Sequence, residues 1–189
     1  EARELLMEMA TFLAGLDAFS AKMRGGYDVV QESGQKIEFL ENRKVTLQRP
    51  NRLRIEETSA DGRGQSVTFD GSKMTIWDGE TGVYAQADQP GSVDDAIVYF
   101  VRDLQMRLPL APLLTTRFPA ELERRLQSVA YVERTDVLGE PAHHIAGRTK
   151  AMDFQVWIAD DERPFPLRIV LTYPDVGRPQ YWAQFSDWN

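Results

Sequence analysis

The sequence predicts an α+β fold: a single long antiparallel β-sheet curved into an open half-barrel, with an N-terminal helix and mid-chain helices packed on its concave face. Three observations carry that expectation. The first eighteen or so residues keep a helical period, the period then falls to two through consecutive runs joined by tight turns, and a helical pattern returns once, near the middle, before strands resume to the end. Strands that follow one another through tight turns form an antiparallel meander, because parallel pairing needs long crossovers. Segregated runs of strands and helices are the α+β pattern. A sheet this long twists and curls toward a barrel instead of lying flat.

The opening segment, EARELLMEMATFLAGLDAFS, places Leu5, Met9, Phe12 and Leu16 at steps of four, three and four, with Leu6 and Leu13 widening the stripe. So continuous an apolar face has to cover something. Next, AKMRGGYDVVQE, QKIEFLENRKVTLQR and RLRIEETS alternate, with Ile37, Phe39, Val45, Leu47, Leu53 and Ile55 on one face. The Arg49-Pro50 joint ends one strand and opens the next, and Arg49, Arg52 and Arg54 are expected to face solvent, pair with acids or meet helix C-terminal carbonyls under the helices. The stretch SVTFDGSKMTIWDGETGVYAQAD gives three short strands jointed at Asp70-Gly71 and Asp78-Gly79.

A helix over 93–108 is predicted next. Ser92 is its N-cap, Asp95 completes an approximate capping box, and Asp94 and Asp95 suit the positive end of the helix dipole. Ile97, Val101, Leu104 and Leu108 form its apolar stripe, flanked by Phe100. PLAPLLTTRFPAELERRLQS continues as short helical or irregular pieces, since Pro109, Pro112 and Pro119 break a helix. The remainder reads as five more strands: VAYVERTDVLG, PAHHIAGRT, MDFQVWIAD, PLRIVLTYP and PQYWAQFSDW. No repeat or low-complexity linker interrupts the pattern, so one domain over 1–189 is expected.

Composition narrows the function classes. The net charge of −7, from 29 acids against 22 bases, argues against nucleic acid as a partner, which would require a basic stripe. No run of some eighteen apolar residues could span a bilayer. The absence of cysteine removes disulfides, thiolate metal sites and cysteine nucleophiles. The first residues do not have the make-up of a signal peptide, which is expected to have been removed from a chain of the periplasm or cell envelope.

The candidates for chemistry are few. His143 and His144 are the two histidines, and on a strand adjacent side chains point to opposite faces, so one compact site cannot take both without a bulge. Asp153 opens the next strand and is expected to face one of them across the hairpin, as a cross-strand pair more than as a catalytic dyad. Asp160, Asp161 and Glu162 read as a solvated acidic turn instead of a calcium site. Neither a phosphate loop nor a nucleophile elbow is present. No catalytic residue, metal or cofactor is expected.

The apolar pattern is more informative. Strand parity brings Phe39, Leu53, Ile55, Phe69, Ile76, Phe154, Val156, Ile158, Ile169, Leu171 and Tyr173 to the concave face, and the helices add Phe12, Leu16, Ile97, Phe100 and Leu104. These residues either fill a packed core or line an apolar ligand cavity beneath a helical lid. Trp77, Trp157, Trp182 and Trp188 serve as core filler or as cavity rim.

The segments QRPNRLR, FDGSKMTIW, HHIAGRTKAMDFQVWI and PFPLRIVLTY carry a resemblance. Over nearly the whole chain the sequence resembles a bacterial family of predicted periplasmic proteins, itself similar to the superfamily of outer-membrane lipoprotein carriers (LolA-like and LppX-like proteins). The resemblance implies a half-barrel of roughly eleven strands with helices plugging its concave side, and acyl chains of lipids or lipoproteins as cargo. It carries no catalytic residue with it. The leading expectation is therefore a non-enzymatic envelope protein that shelters a hydrophobic ligand. An interaction protein with a filled core, holding an envelope partner, is the alternative, and a hydrolase built on the histidines and Asp153 ranks last.

Overall fold

The structure, a computed structural model describing residues 1–58 and 60–189, is built around one eleven-stranded antiparallel sheet. Helix α1 (Ala2–Gly15) leads into β1 (Ala18–Val30), β2 (Lys36–Gln48), β3 (Arg52–Thr58), β4 (Gly64–Phe69), β5 (Lys73–Asp78) and β6 (Val83–Asp88). Helix α2 (Val93–Val98), a wide turn at Tyr99–Asp103, a tight helical turn at Ala111–Leu114 and helix α3 (Phe118–Arg125) follow. The chain then returns through β7 (Leu126–Val137), β8 (Glu140–Thr149), β9 (Asp153–Ala159), β10 (Pro166–Thr172) and β11 (Gln180–Ser186). The third strand was expected to run on through Ser59, which lies outside the described residues.

The spatial order is β6-β5-β4-β3-β2-β1-β11-β10-β9-β8-β7. Two meanders thus start and finish at the centre of the sheet, where β1 pairs with β11 and Gly25 stands opposite Ala183. From the β6 edge the chain crosses the concave face as residues 89–125 and drops into β7 at the other edge. That crossing is the lid.

Register confirms the strand parity. Phe19, Leu47, Leu53, Phe69 and Met74 form one row across β1–β5, and Ala21, Val45, Ile55, Val67 and Ile76 form the next. Under the lid the first row and Ile55 are buried with Val93, Ala96, Ile97 and Phe100 of the lid itself, while Val45, Val67 and Ile76 pack half-buried against them. A second cluster joins Leu6, Met9, Ala10 and Leu13 of α1 to Ile145, Val156, Ile158, Ile169 and Leu171. The buried stripe of α1 therefore centres on Leu6, Met9 and Leu13, all within the predicted stripe, while the predicted Leu5, Phe12 and Leu16 flank it half-buried. Burying Leu6, Met9 and Leu13 stabilises the fold by roughly 1.5–3 kcal/mol each.

The second helix is shorter than its sequence predicts. The capping box is present, with Asp95 N–H donating to Ser92 Oγ at 3.2 Å and Ser92 N–H to Asp95 Oδ2 at 2.9 Å. The regular helix nevertheless stops at Val98, widens over Tyr99–Asp103 and ends at Gln105, whose φ of 52° leaves helical space. β-branched and aromatic residues at 97–101 crowd the preceding turn and weaken helix propensity where the prediction ran on. Asp94 then fastens α2 to the end of the lid through Thr116, whose hydroxyl donates at 2.6 Å and whose backbone N–H donates at 3.0 Å.

Candidate ligand-binding site

Two apolar cavities lie between sheet and lid. The larger, about 160 Å³, is walled by Leu6 and Met9 of α1, Phe154, Ile169 and Leu171 of the sheet, Phe118 and Leu122 of α3, and the lid segment 109–113, with Ala151 and Met152 at the β8–β9 turn. The smaller, about 40 Å³, sits nearer the central seam among Phe19, Ala21, Met23, Val45, Ile55, Tyr181, Phe185, Trp188 and Leu108. Leu110 and Leu113 line both, so the lid segment forms the partition between them.

The local sequence explains the wall. Pro109 and Pro112 keep the segment from becoming a helix, leaving one tight turn that directs Leu113 and Leu114 inward. On the sheet side, Gly147 makes room for Phe154: a methyl at Gly147 would run into the Phe154 ring.

One polar group is built into the apolar face. Glu41, opposite Gly25 in the register, is 8% exposed, and its carboxylate accepts from the Tyr181 hydroxyl at 2.8 Å and from Arg43 Nη2 at 3.0 Å. Arg43 also reaches Glu57 at 3.4 Å, while its Nε is buried without a protein partner. Burial and the neighbouring Glu41 charge push the Tyr181 phenol well above its usual range. Arg49 Nη2 donates to Leu13 O at 3.3 Å, meeting the C-terminus of α1 as one of the three expected alternatives, and desolvation lowers its pKa.

The predicted lining residues fall into distinct places. Ile55 reaches the smaller cavity, and Phe154, Ile169 and Leu171 reach the larger. Leu53, Phe69, Ile97 and Phe100 are buried in the packed core of the β1–β5 half, with Ile76 and Leu104 at its margin. Val156 and Ile158 are buried beneath α1. Phe12 packs edge-on against Phe165 at 4.9 Å and, with Leu16, borders the outer surface of α1. Phe39, 47% exposed, stacks on Tyr27 where the β1–β2 hairpin extends past the lid, and Tyr173 stands half-buried beside Arg107. Leu110, Leu113 and Met152 were missed. The apolar density of LPLAPLL was the available signal, hidden because its prolines mark it as irregular chain.

The histidines take separate environments. His143 lies between the Tyr131 hydroxyl at 3.2 Å and Asp160 at 3.2 Å, while His144 stacks on Trp157 at 4.0 Å and contacts Gln155 at 3.0 Å. Asp153 faces neither, which corrects the expected pairing: the register sets it opposite Arg148, which it binds at 2.7 Å, with Arg178 at 3.3 Å. Among the described residues, no group of three or more His, Asp or Glu side chains is placed to hold a metal ion. Of the tryptophans, Trp188 lines the smaller cavity, Trp157 and Trp182 flank Arg168 on the outer face, and Trp77 is exposed.

Comparison places this architecture. LprF from Mycobacterium bovis superposes with a TM-score of 0.60 at 14% identity, covering 99% of this chain and 92% of that one. The lipoprotein LppX from Mycobacterium tuberculosis gives 0.56 at 15% identity over 98% and 94%. An uncharacterised conserved protein from Thermus thermophilus gives 0.55 at 11% identity over 100% and 86%. The half-barrel is thus LppX-like. No curated protein matches the sequence. One family model, described as "Predicted periplasmic protein (DUF2092)", matches residues 2–189.

Proposed function

The chain belongs to the DUF2092 family of predicted periplasmic proteins, and from that premise we propose that it is a non-enzymatic carrier or receptor of the periplasm that shelters an apolar chain, of a lipid or a lipoprotein, between the curved sheet and its lid. The observation that supports this reading is the larger cavity: about 160 Å³, walled by aliphatic and aromatic side chains and separated from a second apolar space by two leucines on a proline-broken segment.

Its volume defines the mechanism. A cavity near 150 Å³ takes a benzene-sized group, whereas ligand sites commonly span about 300–1,000 Å³. The structure is therefore the contracted state, and a long chain enters by displacing Leu110 and Leu113 so that the two cavities merge. Each methylene buried contributes about 0.8 kcal/mol, so a chain of a dozen carbons offsets both the movement of the lid and the ordering of the ligand. The ledge of Tyr27, Phe39, Val29 and Ile37 beyond the lid gives an arriving chain an apolar surface to follow.

The second reading, an interaction protein, draws support from the β6 edge, where Val83 and Tyr84 are exposed. Titration with 1-aminoanthracene, followed by displacement with myristate, separates the two. Saturable probe binding that myristate reverses supports the cavity. Failure of the probe to bind, together with no lipid co-purifying in native mass spectrometry, overturns it in favour of the edge.

A further inference from the structure

Next to the apolar cavity lies a groove of opposite character. About 330 Å³ in volume, it is lined by Gln127, Arg148, Lys150, Asp153, Thr172 and Arg178, together with Thr149 and Met152, and those last two also wall the larger cavity. The two spaces therefore meet at the β8–β9 turn. Thr149 fixes that turn: its Oγ1 accepts from Ala151 N–H and Met152 N–H at 3.2 Å each, and its N–H donates to Met152 O at 2.9 Å. Met152 is thereby held on the boundary, its neighbour Lys150 on the groove side and Phe154 on the cavity side.

The groove is cationic in a protein whose net charge is −7. Three bases line it against one acid. Asp153 is shared between Arg148 and Arg178, so its single charge answers both, and Lys150 has no acidic partner among the described residues. On the cavity rim, Glu121 is shared between Arg124 and Arg125 and so adds no negative surplus. An apolar pocket sharing a wall with a surplus of positive charge has the chemistry of an anionic amphiphile, alkyl tail inside and charged head outside.

We propose that the groove between the β8–β9 turn and Arg178 is a headgroup site, so that the preferred ligand is an amphiphile with a phosphate- or carboxylate-bearing head and not an uncharged acylglycerol. This deepens the apolar-chain reading and rests on it. Lys150 and the outer N–H groups of Arg148 and Arg178 donate to the head, while the tail passes Met152 into the larger cavity. Because the arginines are solvent-exposed, the preference is salt-sensitive.

Binding of 1-myristoyl-lysophosphatidylglycerol, 1-monomyristoylglycerol and inorganic phosphate, each below any micellar concentration, tests the proposal by probe displacement and calorimetry. At low ionic strength the anionic lipid is expected to bind about tenfold more tightly than the neutral one. The gap should close in 1 M NaCl, where screening acts over about 3 Å. It should also close in Lys150→Glu, an exposed turn position, with an unchanged urea midpoint as proof of an intact fold. Equal affinity of the two lipids for the unmodified protein overturns the headgroup site and leaves the apolar cavity standing. Phosphate binding as tightly as the anionic lipid also overturns it, because head and tail are then not joined. Failure of both lipids overturns the cavity reading itself, and the headgroup site with it.

Discussion

At the scale of single residues, the most consequential side chain is Glu41, a carboxylate set in the apolar face of the sheet. It is held by Tyr181 and Arg43, and Arg43 already has one buried N–H without a protein partner. Glu41→Ala removes the nearer and more buried of the two carboxylates that compensate Arg43 and is expected to destabilise the protein by about 3 kcal/mol, read as a lower urea midpoint. Tyr181→Phe, which leaves Glu41 with Arg43, costs about 1 kcal/mol. The two differ in pH dependence as well. The folded phenol ionises far above the unfolded value near 10, so the unfolded chain loses its proton first. The stability contributed is complete below pH 10 and falls as pH rises beyond it. Chemical denaturation between pH 8 and 11 should show that decline flattened in Tyr181→Phe; an unchanged slope would contradict the buried environment of the phenol. Strand parity puts Glu41 on the same face as Ile37, Phe39, Val45 and Leu47, but nothing local in the sequence shows its partner Tyr181, 140 residues away. Gly25 stands opposite Glu41 in the register, where an added methyl would meet the Trp182 carbonyl oxygen at 2.9 Å. The opposite orientations of His143 and His144 were legible, because strand parity alone dictates them. The partner of Asp153 was not, because the four-residue turn at Thr149–Met152 sets the register.

At the scale of elements, legibility follows the locality of the signal. The N-cap of α2 rests on two residues three apart and was read correctly, down to Asp95. Its length was overread, because apolar spacing continues through Val101 and Leu104 while the backbone widens. The lid is consequently a chain of short pieces, held at Ser92 and at the Asp94–Thr116 contact, and such pieces open locally at less cost than long packed helices. Ser92→Ala removes the cap and should cost about 1 kcal/mol of helix stability. The effect should appear as roughly fivefold faster hydrogen exchange at Ala96 and Ile97, with the amides of β9 and β10 unchanged. Uniform acceleration across the sheet would show that the lid and sheet unfold together, which excludes opening by the lid alone.

At the scale of the whole molecule, the sequence shows strands in order but not that β1 and β11 meet, since nothing local records a pairing across some 160 residues. That seam puts the first and last strands at the centre of the sheet and makes the helical crossing span it from edge to edge. The crossing therefore both completes the core and partitions the cavity, and stability and ligand capacity should trade against each other at Leu113. Leu113→Ala deletes one of the two side chains lining both spaces. Without ligand, the variant should be less stable by about 2–5 kcal/mol, as for other buried leucines. With ligand, the side chain that an incoming tail must displace is already absent, so myristate should bind more tightly. A ligand at one hundred times its dissociation constant stabilises by about 2.7 kcal/mol, and 1 kcal/mol moves Tm by about 2–4 °C for a chain of this size. The thermal shift on adding myristate at a fixed concentration should thus be several degrees for the parent protein and larger for Leu113→Ala, even though its unliganded Tm is lower. If the variant loses stability and its ligand-induced shift is no larger than the parent's, Leu113 is core filler only, and the lid segment is not the element that a ligand moves.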